Sequence, residues 1–309
     1  MSTEETKPLR VIFMGTPDFA LEGLNRLAQA TDFKIVGVYT QADKPVGRAQ
    51  TITPPPVKVM AKKYGFKIIQ PAKIKTEIET IRDLKPDLIV VIAYGKIIPQ
   101  AILDLPTYGC INVHASLLPK YRGASCLTAP ILNGDSETGV TIMKMDAGLD
   151  TGGILRQAEM KLDGRANLET VHDALSALGA DLLVPTLRDY VAGKIKPQAQ
   201  DETQASYVKI IKKEDGRIDW TKPATEIERM IRAYNPWPGT YTEQSEKILK
   251  IIEATPEILN TNSHKPGDLF IAEHALAIQC GQGAIVILKL QPAGKKIMTA
   301  QEYLSGHKI

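Results

Sequence analysis

Between residues 109 and 125 the chain reads GCINVHASLLPKYRGAS, and Asn112, His114 and Ser116 fall on alternate positions. Alternate positions of an extended segment face one side. An amide, an imidazole and a hydroxyl are therefore directed to a single side of what otherwise reads as a buried strand. One histidine at a strand end is ordinarily a satisfied structural residue, and so is one asparagine. A second segment changes the reading. Asp150 stands in DAGLDTGG, where Gly148, Gly152 and Gly153 let the backbone approach a ligand closely. An amide, an imidazole and a carboxylate brought to one rim can stabilise a developing oxyanion and move protons. No serine or cysteine stands in a nucleophile-elbow context, so a covalent acyl-enzyme is not indicated. The set suits direct transfer between two bound substrates.

The elements that must position these groups alternate along the chain. LRVIFMG, KIVGVYT, the short KIIQ, the very apolar DLIVVIA, CINVH and ETGVTIMKM read as strands. Helices are read in TPDFALEGLNRLAQA, with Thr16 as N-cap and Pro17 at the first helical position, in VKVMAKKYG and in KTEIETIRDLK. The alternation predicts an α/β class: a Rossmann-like, mostly parallel sheet in the N-terminal domain. Ligands of such sheets sit beyond the carboxyl ends of the strands. His114 ends one strand and DAGLDTGG follows another, so both polar clusters are predicted to meet at one rim. The turn FMGTPDFA has one glycine where a dinucleotide fingerprint wants three, and reads as a tight turn opening a helix. QADKPVGRAQTITPPP reads as a long loop.

After the helix NLETVHDALSALGADLLVPTLRDYVAG the texture becomes polar and weakly periodic. Beyond it lie one helix and the short strands KILKIIEA, GDLFIA, ALAIQC and AIVILKLQ, which predict a smaller C-terminal β-barrel, OB-like in character. The expected organisation is residues 1–192, a linker at 193–210 and a C-terminal domain at 211–309.

Composition is that of an ordinary globular chain: 43% hydrophobic and 24% charged residues over 309 positions. A net charge of +3, from 38 basic and 35 acidic side chains, does not announce a nucleic acid. Any such partner needs positive charge concentrated locally. Cys110, Cys126 and Cys280 have no C-x-x-C spacing, which argues against a disulfide framework, and the first two read as packing residues. The five histidines are scattered, so no metal is expected. MSTEETKPLRVIFMG lacks the apolar core of a signal peptide, and no apolar stretch reaches membrane-spanning length. A cytoplasmic monomer with no membrane partner is the expectation.

NVHASLLPKYRGAS together with GVTIMKMDAGLDTGGIL resembles the formyltransferase family that uses 10-formyltetrahydrofolate. The resemblance implies Asn112, His114 and Asp150 as the catalytic residues, and Ser116, Leu117, Leu118 and Pro119 as a folate-contacting turn. It implies that VVIAYGKIIP, with Ala93, Tyr94 and Gly95, lines the pterin pocket with its backbone. GTPDFA, DKPVGR, PPPVKVMA, RIDW, AYNPWPGTY and LQPAGKKIMTAQEYL extend the resemblance over essentially the whole chain. Branches acting on glycinamide ribonucleotide, on formyltetrahydrofolate itself or on sugar amines share NxH and SLLP, so the C-terminal motifs carry the distinction. They are similar to the branch that formylates methionine on charged initiator tRNA for translation initiation.

That likeness implies 10-formyltetrahydrofolate as a co-substrate, no metal, and residues 211–309 as a tRNA-binding domain. It implies tRNA contacts from Lys44 and Arg48 in the long loop, and the basic linker adds Lys209, Lys212 and Lys213. Two departures are visible: Ala49 and Gln50 where the family is more basic, and Ser125 and Cys126 where Ala-Pro is common. The implied mechanism is attack of a neutral α-amine on the formyl carbon. The Asn112 amide and protonated His114 would serve the oxyanion, with Asp150 orienting the proton transfer.

Overall fold

Residues 11–14 are wholly buried in strand β1 (Leu9–Gly15), the first element of the computed structural model, which describes residues 7–47, 49–244 and 247–307. After a short 3-10 turn come α1 (Leu21–Gln29), β2 (Phe33–Tyr39), β3 (Lys44–Val46), β4 (Thr51–Thr53), α2 (Pro56–Lys63) and β5 (Ile68–Ile69). Then follow α3 (Ile78–Asp83), β6 (Leu88–Ile92), α4 (Gln100–Leu103), β7 (Cys110–His114) and α5 (Ala129–Asn133). β8 (Glu137–Lys144), β9 (Ile154–Lys161) and α6 (Leu168–Val191) complete this part.

Seven strands form one sheet in the order β5-β2-β1-β6-β7-β8-β9. β5, β2, β1, β6 and β7 are parallel, and β8 runs antiparallel to β7. β6 is buried along its whole length, because a central parallel strand is covered on both faces. The predicted Rossmann-like, mostly parallel sheet is present. Its strand order reverses between β1 and β6, so a crevice opens at the carboxyl ends of these two strands.

Local details differ from the sequence reading. Residues 41–56 are not all irregular: β3 and β4 pair as a small antiparallel hairpin whose six residues are all exposed. Thr16 does not cap α1. Its hydroxyl donates to the Tyr94 carbonyl at 3.0 Å, and a 3-10 turn (Asp18–Ala20) leads into the helix instead. β9 was not expected either, because its charged, half-exposed residues give no continuous apolar run.

The C-terminal part contains α7 (Ala224–Tyr234), β10 (Thr240–Gln244), β11 (Lys247–Leu259), β12 (Leu269–Ala272), β13 (Ala275–Gln279), β14 (Ala284–Pro292), β15 (Met298–Thr299) and α8 (Ala300–Gly306). Its antiparallel sheet runs β10-β11-β14-β13-β12, with β15 on β14. Ile227 and Ile231 of α7 pack with Ile251, Ile278, Ile285, Ile287 and Leu290 in one core. Trp220 joins it and donates its indole N–H to Thr242 Oγ1 at 2.9 Å. The register of β11 against β14 shifts three times, and such irregularities bend a strand.

Two compact units divide the chain. One comprises Met1–Gly123, Gly139–Met160 and His172–Tyr207; the other comprises Ala124–Thr138, Lys161–Val171 and Val208–Ile309. The polar segment after α6 thus stays with the parallel-sheet unit as far as Tyr207. Among the described residues no helix is long and apolar enough to cross a membrane.

Candidate active site

At the strand-order reversal, β6 runs directly into Ala93 and Gly95, which hold left-handed φ values of +47° and +74°. Both are exposed, whereas the Tyr94 ring between them is buried at 1% exposure. Burial pushes the Tyr94 phenol up to about 12, so it stays neutral. Its carbonyl accepts from Thr16 Oγ1 and from Gln41 Nε2, each at 3.0 Å. Gln41 Nε2 also reaches the Gly95 carbonyl at 3.3 Å. The end of β6 is therefore pinned across the crevice to the ends of β1 and β2.

Ser116 leaves the set suggested by its alternation with Asn112 and His114. It lies beyond the end of β7, is fully buried, and donates its hydroxyl to the Lys120 carbonyl at 2.6 Å. Its own carbonyl accepts from Thr141 Oγ1 at 2.7 Å. That oxygen in turn accepts the Leu118 N–H at 3.0 Å and Gln157 Nε2 at 2.9 Å. Gln157 Nε2 also donates to the Leu118 carbonyl. The SLLP turn, with Leu117 and Pro119 half-buried, is thus stapled to β8 and β9 by Thr141 and Gln157. Sequence reasoning missed both; the hydroxyl inside the apolar strand GVTIM is the signal that was available.

Asn112 lies in β7 between Val91 of β6 and Met143 of β8. It is 9% exposed, and among the described residues no partner holds its carboxamide. His114, at the carboxyl end of β7, is 6% exposed. Its Nε2 lies 3.0 Å from the Tyr121 carbonyl oxygen. A carbonyl only accepts, so the ring proton belongs on Nε2 and Nδ1 is the nitrogen that faces Asp150. Nδ1 stands 3.7 Å from Asp150 Oδ2, which accepts the Gly123 N–H at 2.8 Å. The structure brings Asn112, His114 and Asp150 to one end of the parallel sheet.

The loop that delivers Asp150 is braced from within. Asp146 Oδ1 accepts the Gly148 N–H at 3.0 Å and Thr151 Oγ1 at 2.7 Å. A β-carbon on Gly152 would stand 1.9 Å from the Lys144 carbonyl oxygen, so glycine is required there. Asp150 itself holds φ at +55°. Cys110 opens β7 at the end away from His114, and burial pushes its thiol up to about 12, which disfavours the thiolate. Among the described residues no group of His, Cys, Asp or Glu side chains could hold a metal ion.

The cations singled out in the sequence fall in two places. Lys44 is exposed in β3 of the first unit, where its ammonium donates to Gln41 Oε1. Arg48 lies outside the described residues. Lys209, Lys212 and Lys213 belong to the second unit and are exposed.

Residues 9–187 match the Formyl transferase family, and residues 210–308 match the Formyl transferase, C-terminal domain family. The chain is 45% identical over 304 residues to the methionyl-tRNA formyltransferase of Citrifermentans bemidjiense, covering 97% of this chain and 94% of that protein. It is 44% identical to the methionyl-tRNA formyltransferase of Caldanaerobacter subterraneus subsp. tengcongensis, covering 97% and 98% respectively. Among solved structures, the N-formyltransferase of Helicobacter canadensis in complex with folinic acid and dTDP-3-aminofucose is similar with a TM-score of 0.69 at 21% identity, over 92% of this chain and 99% of that one. HypX of Aquifex aeolicus in complex with tetrahydrofolic acid is similar with a TM-score of 0.64 at 18% identity, over 96% of this chain and 47% of that one. At these identities the two structures speak to the fold alone.

Proposed function

The chain belongs to the formyl transferase family, and from that premise we propose that it transfers the formyl group of 10-formyltetrahydrofolate to the α-amino group of methionine on charged initiator tRNA, for translation initiation. The observation that carries this reading is the 45% identity to a methionyl-tRNA formyltransferase across 97% of the chain, both modules included.

The transfer exchanges one C–N bond for another. The α-amine, neutral in a substantial fraction near pH 7, attacks the formyl carbon. The carbonyl oxygen becomes an oxyanion, the bond from carbon to the folate nitrogen breaks as the carbonyl reforms, and that nitrogen takes up a proton while the amine gives one away. Asn112, whose amide has no partner among the described residues, donates to the oxyanion. His114, its ring held by Nε2–H on the Tyr121 carbonyl, presents Nδ1 as the nitrogen that carries the proton between the two amines. Once protonated there it is the second donor, with the Asp150 carboxylate 3.7 Å away to orient the exchange. The co-substrate fits a crevice whose backbone is turned outward at Ala93 and Gly95, beside the turn Ser116, Leu117, Leu118 and Pro119. There the backbone and the apolar side chains of the turn, rather than the inward Ser116 hydroxyl, are the groups offered.

For the tRNA, residues 1–192 carry the chemistry, 193–210 form the link, and 211–309 bind the nucleic acid. Lys44 and Arg48 hold the acceptor end by phosphate contact and, for Arg48, stacking; Lys209, Lys212 and Lys213 add phosphate contacts. The protein works as a monomer in the cytoplasm. Incubating it with 10-formyltetrahydrofolate and charged initiator tRNA tests the reading. Formyl-methionine on the tRNA is the expected product, and folded protein that formylates a sugar amine but not the charged tRNA would overturn it.

A further inference from the structure

Arg122 follows the residue whose carbonyl meets His114, yet it has no exposed surface. All five of its guanidinium N–H groups are directed. Nε and Nη2 donate to Gln200 Oε1 at 3.1 and 2.8 Å, and Nη2 and Nη1 donate to the two Glu202 carboxylate oxygens at 2.7 and 2.9 Å. Nη1 also donates to the Tyr207 hydroxyl at 2.8 Å, and the guanidinium lies 5.5 Å from the centre of that ring. Glu202 holds the Arg122 value up, and Arg122 holds the Glu202 carboxyl below its usual range, so both remain charged. The backbone is tied as well: Arg122 N–H donates to the Ser206 carbonyl at 2.8 Å, and Tyr121 N–H to Ser206 Oγ at 2.9 Å.

Gln200 joins this knot to the reacting groups. Its Oε1 faces a group that can only donate, which fixes the amide without ambiguity and sends Nε2 the other way. Nε2 donates to the carbonyls of Asp150 and Gly152, each at 2.8 Å. The first of these carbonyls belongs to Asp150 itself, whose backbone is held at φ +55° despite its β-carbon, a conformation that persists only where its surroundings impose it. An anchor needed for architecture alone uses only the Oε1 end of Gln200; the Nε2 end reaching into the Asp150 turn is superfluous to it.

We infer that Gln200 is a positioning residue that holds the Asp150 turn in its working conformation, itself locked by the buried Arg122. The inference rests on the roles proposed for His114 and Asp150. One guanidinium thereby anchors both halves of the pair, His114 through the Tyr121 segment and Asp150 through Gln200.

The test is Gln200→Glu beside Gln200→Met. Glutamate keeps, as a charge-assisted contact, the oxygen that Arg122 needs, but sets its second oxygen against the two carbonyls. Methionine removes both ends. The expected result for Gln200→Glu is kcat lowered about 10-fold or more, with KM for folate and tRNA within about twofold and an unchanged thermal midpoint. Gln200→Met is expected to lose kcat and some stability together. Retained kcat in Gln200→Glu, or a loss that only follows the folded fraction, overturns the inference. The two readings fail separately. An inactive, folded wild-type chain overturns the proposed function and the positioning role with it, whereas an active wild type with an unaffected Gln200→Glu overturns the positioning role alone.

Discussion

Nδ1 of His114 and Oδ2 of Asp150 stand 3.7 Å apart, and the same carboxylate oxygen accepts the Gly123 amide at 2.8 Å. The separation is that of an ion-pair contact and exceeds a hydrogen bond. The carboxylate is therefore aligned by the backbone first and by the imidazole second. Asp150 faces the ring from a fixed direction, and catalytic contacts of this kind commonly tighten with substrate.

Replacing either member tests this arrangement. His114→Ala and Asp150→Asn are each expected to lower kcat about 10²-fold or more, with the far-UV spectrum unchanged. Asparagine at 150 preserves an oxygen for the Gly123 amide, so its loss of activity reports the charge and not the turn. Near-normal turnover by either folded variant contradicts the mechanism.

Gly152→Ala forces a β-carbon to within 1.9 Å of the Lys144 carbonyl oxygen, so backbone must move. The expected outcome is a lowered thermal midpoint together with a loss of kcat larger than that of Gly164→Ala, whose β-carbon meets open space. Equal behaviour of the two glycines in a melt and a rate assay would show that the loop tolerates displacement.

Cys110 and Cys280 are both buried with thiols pushed up to about 12, and Cys126 is buried as well. A thiol reagent near pH 8 should therefore label native protein slowly and reach three equivalents only on unfolding. Cys126→Ser is expected to retain full activity. Rapid stoichiometric labelling coupled to inactivation would point to thiol chemistry.

Raising salt should weaken tRNA binding with a slope set by the number of phosphate contacts. Replacing Lys209, Lys212 and Lys213 together by alanine should flatten that slope, and Arg48→Ala should raise KM for charged tRNA without changing folate binding. Binding titrations at several salt concentrations decide it: a slope unmoved by the triple replacement removes those lysines from the contact.

Arg122 holds the Glu202 carboxyl below its ordinary 4.5. The unfolded chain thus binds this proton more readily than the folded one, so the pair stabilises the fold above pH 4.5 and that stabilisation fades as pH falls through the lower folded value. Glu202 is 67% exposed, which screens the effect to a modest size. Urea midpoints taken between about pH 5 and pH 3 should fall less steeply in Glu202→Gln than in wild type. Identical slopes would show that the pair contributes nothing.

The legible parts of this chain are those with one-dimensional causes. β1 and β6 announce themselves because burial on both faces demands near-continuous apolar runs, and the placement of His114 and Asp150 follows from strand ends in a parallel sheet. Ser116 shows where that logic stops. Alternation holds only while the strand lasts, and β7 ends at His114. The hairpin of β3 and β4 has no buried face to pattern its sequence. The contact between Arg122 and Gln200 spans 78 positions, and nothing in either segment names the other.

The left-handed backbone at Asp150 sets a conflict between endurance and work. Any side chain there costs on the order of 1 kcal/mol relative to an unstrained site, and glycine is the residue that relieves it. Asp150→Gly would relieve that cost but would give up the Gly123 hydrogen bond and, with it, the carboxylate proposed to orient His114.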